Sequence, residues 1–188
     1  DEVYEHITFD DHEHRSILLY PELLERSFVN FSFGKVFHAT GWKLGYTISS
    51  PSLMKAYRKL HQFVGFSCNT PMQVALASFL ESTASYEALP QFFQHKRDLF
   101  LELFSELPFT IHQAAGGSYF QIMSYERISS LPDKEFVVWL TKQYGVAAIP
   151  LSSFNHDGKD DRMIRFCFAK QDNTLMEAAT RLKSLPCF

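Results

Sequence analysis

Ser32-Phe33-Gly34-Lys35-Val36-Phe37-His38-Ala39-Thr40-Gly41-Trp42-Lys43-Leu44-Gly45-Tyr46 is the stretch on which the reading of this chain turns. An apolar run of β type, Phe28-Val29-Asn30-Phe31, leads into it, and Leu44-Gly45-Tyr46-Thr47-Ile48 leads out as a second strand. Between them lies a turn of small residues carrying Lys35, with a second cation, Lys43, eight positions further on. A lysine on a tight turn at a strand end can reach a pocket while its backbone stays fixed. Partly desolvated beside another cation, an ammonium gives up its proton more readily and becomes a nucleophile toward carbonyls. Most lysines after a strand are simply solvated, so the turn by itself marks a candidate.

The bulk numbers bound the rest. With 188 residues, 46% hydrophobic and 21% charged, the chain has ordinary globular composition and length for one large domain or two small ones. A net charge of −3 argues against nucleic acid as a main partner, because phosphate binding needs a clustered basic surface. No apolar run approaches the roughly 18 residues of a membrane span, and no signal peptide is visible. Cys68, Cys167 and Cys187 are scattered among apolar neighbours with no CxxC pair, which reads as buried thiols in a reducing, cytoplasmic setting. Nineteen phenylalanines read as core and interface filler. The chain opens on Asp1-Glu2-Val3-Tyr4 without a methionine, and the expectation is a fragment of a longer protein.

Taken in order, the polar run Asp10 to His14 reads as a solvated loop, since His12-x-His14 lacks a distant third ligand for a metal. Pro21 to Arg26 is a short helix with proline in its first turn, and Ser27 to Phe31 a buried strand. Pro51 opens a helix with Leu53, Met54, Tyr57, Leu60, His61 and Val64 on one face. Thr70 is expected to cap the next helix, started by Pro71. One long amphipathic helix is expected from Tyr86 to Leu107, with Leu89, Phe92, Phe93, Leu99 and Leu103 at helical spacing. A βαβ-like part follows: a strand over Ser118 to Met123, a helix from Pro132-Asp133 to Tyr144 stopped by Gly145, and strands over Val146 to Pro150 and Met163 to Phe168. Asp172 is expected to cap a last helix, Thr174 to Leu185.

Arg165 stands in the apolar run Met163 to Ala169, where a charge is costly unless paired. Two readings remain open at this point: a salt bridge to Asp160 or Asp161 (or an edge strand in water), and a guanidinium fork gripping a carboxylate through two parallel bonds.

Ser32-x-x-Lys35 followed by Gly41-Trp42-Lys43-x-Gly45 closely resembles the cofactor-lysine signature of class I/II aminotransferases, the fold-type I enzymes dependent on pyridoxal 5′-phosphate (PLP). Further matching stretches are Asp1-Glu2-Val3-Tyr4-Glu5-His6, Val64 to Pro71, Gly145 to Ser152 and Ile164 to Lys170, so the resemblance covers nearly the whole chain and places it in the C-terminal half of a family member. The branch it resembles most holds bacterial methionine aminotransferases and their kynurenine or glutamine aminotransferase relatives.

The resemblance implies an α/β fold: the C-terminal part of a PLP-binding large domain with a mixed sheet (1–85), a connecting helix (86–107) and a small α/β C-terminal domain (108–188). It implies that Lys35 carries PLP and acts as general acid and base, and that Asp1 faces the pyridine nitrogen at the end of a central strand. It implies further that Tyr4 bonds the phenolic oxygen, Ser32 and Lys43 hold the phosphate, and Arg165 holds the substrate α-carboxylate. Asn69 and Thr70 would lie near the neighbouring subunit's site in a homodimer. Lys43 stands where the family often has arginine; it keeps the charge and lacks the fork. The implied reaction is transamination between an apolar or aromatic L-amino acid (methionine, phenylalanine, tyrosine) and a 2-oxo acid, with no metal and no nucleic-acid or membrane partner. A PLP-dependent cysteine-conjugate β-lyase, an effector-binding module, and a fragment inactive on its own are the alternatives.

Overall fold

The computed structural model describes residues 1–187, leaving Phe188 of the expected small domain outside. The chain divides into two compact units, Asp1–Pro90 and the remainder from Gln91.

In the first unit a 3-10 turn, Ile17–Leu19, precedes α1 (Pro21–Leu24), which has proline at its first position as expected. His14 of the polar loop bonds the Glu2 carboxylate at 2.8 Å, and the Ile17 N–H donates to the same carboxylate at 3.0 Å. Burial raises the Glu2 pKa and these bonds lower it; the bonds win, leaving it below the usual value. Strand β1 (Val29–Ser32) leads through α2 (Phe33–Val36) and a 3-10 turn (Thr40–Trp42) to β2 (Gly45–Ile48). The two strands pair antiparallel, Val29 opposite Ile48 and Ser32 opposite Gly45. Contrary to the expected fully buried strand, β1 alternates. Val29 and Phe31 enter the core while Asn30 faces out and accepts a bond from the Thr47 hydroxyl at 2.8 Å.

Helices α3 (Pro51–Val64), α4 (Thr70–Phe79) and α5 (Ala84–Glu87) complete this unit. Asn69, not Thr70, caps α4: its side-chain oxygen accepts from the Met72 N–H at 3.2 Å. No residue of α3 is buried, so the apolar face read from its periodicity is left largely open within this chain.

The single helix expected from Tyr86 to Leu107 is two pieces, α5 and α6 (Leu89–Phe104), separated at Ala88. Pro90 supplies the reason: it offers no N–H to the preceding turn and disfavours helical geometry just before it.

In the second unit β3 (Phe120–Ser124), α7 (Asp133–Tyr144), β4 (Ile149–Pro150), a 3-10 turn (Leu151–Phe154), β5 (Met163–Cys167) and α8 (Asp172–Leu182) follow α6. The sheet order is β3-β5-β4, with β5 antiparallel to both neighbours. β3 and β4 therefore run parallel, joined through α7, and β5 is inserted between them; this is the βαβ-like pattern in split form. Strand β4 is shorter than the expected Val146–Pro150. Gly145 ends α7 at φ +66°, the left-handed value that favours glycine. Gln171 takes the cap position of α8, and Asp172 in its first turn forms an ion pair with the nearly buried Lys96 instead.

Phenylalanines build this core. Phe100 stacks on Phe104 at 4.0 Å between ring centres, and Phe166 meets Phe104 edge-on at 5.4 Å. Tyr125 stacks on Phe136 at 3.9 Å and donates its hydroxyl to the Leu131 carbonyl. Among the described residues no helix is long and apolar enough to cross a membrane.

Candidate active site

The first unit carries Asp1, Tyr4, Ser32, Lys35, Lys43, Asn69 and Thr70; the second carries Arg165. In the first, the antiparallel register does the assembling. Ser32 closes β1 opposite Gly45, and the Phe33 N–H donates to the Leu44 carbonyl at 3.2 Å, so Ser32 and Lys43 flank the two ends of one connection. Lys35 sits within that connection on the half-buried turn of α2. Gly34 lets α2 close on the Thr40–Trp42 turn, since a Cβ there would stand 2.9 Å from the Thr40 Cα. Lys43 has φ +56°, which reverses the chain into β2.

The Ser32 hydroxyl and the Lys35 and Lys43 ammonium groups have no hydrogen-bond or ion-pair partner among the described residues. Three donors on one connection, none of them satisfied by protein, are suited to an oxyanion such as a phosphate. Beside Gly41 there is open space.

Asp1 precedes a turn over residues 3–6 and Tyr4 lies within it, so neither ends a strand, although the Glu2 N–H keeps one sheet-like bond to the Asn30 carbonyl at 2.8 Å. A second tie runs from the Tyr46 hydroxyl to the Glu5 carboxylate at 3.2 Å. Burial first, and then the Glu5 carboxylate, push the Tyr46 pKa up to about 12. The segment over residues 2–5 is thereby fastened to both strands of the hairpin that carries Ser32, Lys35 and Lys43. Asp1 is exposed, and its carboxylate accepts from the Val3 N–H at 3.2 Å. Asn69 is engaged as a helix cap, and Thr70 is the first, exposed residue of α4.

Arg165 lies in mid-β5, opposite Ile122 of β3 and Ile149 of β4. Its guanidinium carbon stands 4.0 Å from the Phe120 ring centre and 4.8 Å from that of Phe154. The salt bridge to Asp160 or Asp161 is not formed. Asp160 accepts the N–H groups of Asp133 and Arg162, and Asp161 pairs with Lys159 at 2.6 Å. The Arg165 Nε is buried with no hydrogen-bond partner among the described residues.

Arg165 also faces a cavity of about 500 Å³ lined by His112, Gly116, Gly117, Ser118 and Met163 among others. Gln121 shapes its wall, accepting the Ala115 N–H and donating to the Gln113 carbonyl, each at 2.9 Å. Phe120, Gln121 and Phe154 were not legible as site residues. Strand alternation puts Phe120 on the face of Ile122 and Arg165, but nothing local marks Phe154.

A sequence profile of the class I and II aminotransferases matches residues 1–182. The chain belongs to this family. It is 46% identical over 186 residues to the methionine aminotransferase of Escherichia coli K12, covering 98% of this chain and 48% of that protein. It is 34% identical to human kynurenine–oxoglutarate transaminase 1, covering 97% and 48%. A solved E. coli structure, described as having a methionine aminotransferase function, superposes with a TM-score of 0.92 over 98% of this chain and 49% of its own. The N-succinyldiaminopimelate aminotransferase of Mycobacterium tuberculosis, 34% identical, superposes with a TM-score of 0.89 over 97% and 48%. The chain thus spans about half the length of the aminotransferases it matches, and its fold is that half of a fold-type I aminotransferase. The family as a whole is generally PLP-dependent.

Proposed function

We propose that the full-length protein transfers the amino group of an apolar or aromatic L-amino acid, such as methionine, to a 2-oxo acid, using PLP as cofactor. The observation that carries the reading is Arg165: a guanidinium with a buried Nε beside a cavity, which finds no hydrogen-bond partner and no acid among the described residues. A charge left so is costly unless an anionic ligand completes it, and a substrate carboxylate is that ligand.

The unsatisfied donors of Ser32 and Lys43 fit the cofactor's phosphate, and Lys35 fits its carbonyl carbon. PLP, when bound, supplies the electron sink that stabilises negative charge at the substrate Cα. The chain's own residues do the rest. Lys35 Nζ would hold the cofactor at rest, then take the proton from the substrate Cα and, as general acid, deliver it to what was the cofactor's carbonyl carbon. Asp1 keeps a proton on the pyridine nitrogen, and Tyr4 bonds the phenolic oxygen. Arg165 grips the α-carboxylate and so fixes which Cα bond faces the proton acceptor. Asn69 and Thr70 belong, in this reading, near a partner subunit's site in a homodimer working in the cytoplasm.

The test is the visible absorbance of the full-length protein with PLP, before and after methionine. A cofactor band that shifts on adding methionine, with release of the matching 2-oxo acid, is the expected result. No band, or release of pyruvate and ammonia from a cysteine conjugate without an amino acceptor, would overturn it.

A further inference from the structure

The α7 N-terminus forms a knot of polar groups that no role above uses. Asp133, 2% exposed, opens the helix. Its carboxylate accepts the Ser152 N–H at 2.7 Å and the Ser152 hydroxyl at 2.8 Å. Its own N–H donates to the Asp160 carboxylate, which also accepts the Arg162 N–H at 2.7 Å. The two carboxylates thus fasten one helix end to two segments. One is the Leu151–Phe154 turn; the other is the entry to β5, three residues before Arg165. Ser152 stands two positions before Phe154, whose ring lies over the Arg165 guanidinium.

Phe154 is 59% exposed, so little apolar burial holds its ring in place. What fixes the turn is the pair of charge-assisted bonds to Asp133. A guanidinium packed against two rings is held through its faces, which leaves its N–H edge free to meet a carboxylate.

We propose that Asp133, acting through Ser152 and Phe154, is a positioning residue for Arg165: it holds the ring that, with Phe120, orients the free guanidinium toward a carboxylate. The inference rests on the reading of Arg165 as the carboxylate-binding residue. It adds a device that decides how well that residue is aimed.

The test uses the full-length holoenzyme and 3-phenylpropionate, a carboxylate with no amino group to react, titrated by calorimetry, together with steady-state kinetics on methionine. Phe154→Leu, Asp133→Asn and Ser152→Ala are compared with Arg165→Ala; neither Asp133 nor Ser152 lines the cavity. Phe154→Leu and Asp133→Asn are expected to weaken 3-phenylpropionate about five- to tenfold and raise KM alike, with kcat within about twofold. Ser152→Ala, which keeps the backbone bond, falls between them and wild type, and Phe154→Tyr restores wild-type affinity.

Wild-type affinity in both Phe154→Leu and Asp133→Asn, against a loss in Arg165→Ala, would overturn the positioning role and leave the carboxylate reading standing. Wild-type affinity in Arg165→Ala would overturn the carboxylate reading and the positioning role with it. Should Asp133→Asn fail to fold, the exposed Phe154→Leu decides between these outcomes.

Discussion

The Cα of Gly45 packs on the carbonyl oxygen of Phe31 so closely that a Cβ built at Gly45 would overlap that oxygen. This contact closes the hairpin at the level of Ser32 and Lys43, and only glycine permits it. Gly45→Ala should therefore destabilise the protein by about 1–3 kcal/mol, as overpacking does, and loosen PLP in the same step. Thermal melting with and without PLP checks both: a variant that melts and binds as wild type would show that the contact is not needed.

Lys35 is expected to be indispensable in a way its charge does not explain. Lys35→Arg keeps a cation in the half-buried turn but removes the amine that can bond a carbonyl carbon. Transamination should fall by roughly 10³-fold or more. Borohydride treatment followed by mass spectrometry should find the cofactor fixed to the Lys35 peptide of the wild type and to no peptide of the variant.

Arg165 should show the difference between a fork and a point charge. Arg165→Lys is expected to raise KM for the amino acid about tenfold, and Arg165→Ala about a hundredfold or more. The absorbance of bound PLP should be unchanged in both, because in the proposed reading the residue addresses the substrate.

Two titrating contacts give opposite arms to a stability–pH profile. The hydrogen bond from Lys96 holds the Asp172 carboxyl below its ordinary value of 3.8. A depressed acid contributes stability above the ordinary pKa, and that stability is lost as pH falls through the lower folded value. Tyr46 is raised from 10.0 to about 12, so its contribution is complete below pH 10 and is lost as pH rises toward 12. In urea titrations across pH, Asp172→Asn should reduce only the acid arm, to which Glu2 also contributes, and Tyr46→Phe only the alkaline one.

What the sequence told, and what it withheld, follows from how local each feature is. The Lys35 turn was legible because two strand-like runs and the glycines between them lie within a short stretch. The stop at Gly145 was legible because a left-handed helix end favours glycine over other residues. Pro90 is an equally local signal and outweighs the apolar spacing from Tyr86 to Leu107: the helix breaks at Ala88. The surroundings of Arg165 were out of reach. Phe120 reaches it through strand register, Phe154 through a turn tied to Asp133, and Asp160 is diverted to that same helix end. None of these pairings leaves a periodic trace. The face of α3 is a third case: periodicity says that a face seeks a partner, not where the partner is.

The exposed C-terminal end of α3, where Leu60 and Val64 of that face lie beside Phe63, carries the last prediction. Leu60, Phe63 and Val64 on α3 are 63%, 80% and 81% exposed, and Phe66 just beyond it is 82% exposed. Apolar side chains clustered this way on an isolated surface favour association. The 188-residue polypeptide, expressed by itself, should therefore self-associate and bind a hydrophobic dye such as ANS. Phe63→Ser with Phe66→Ser should reduce both effects. Neither residue supports the chain's own core, so the far-UV spectrum should stay as it was. In the full-length protein the same double substitution should instead cost stability, because there the face is expected to be covered. Light scattering and melting of the two lengths side by side make the comparison. A full-length protein indifferent to the substitutions would mean that the face is open in both, and that the apolar stripe has no partner within the parent.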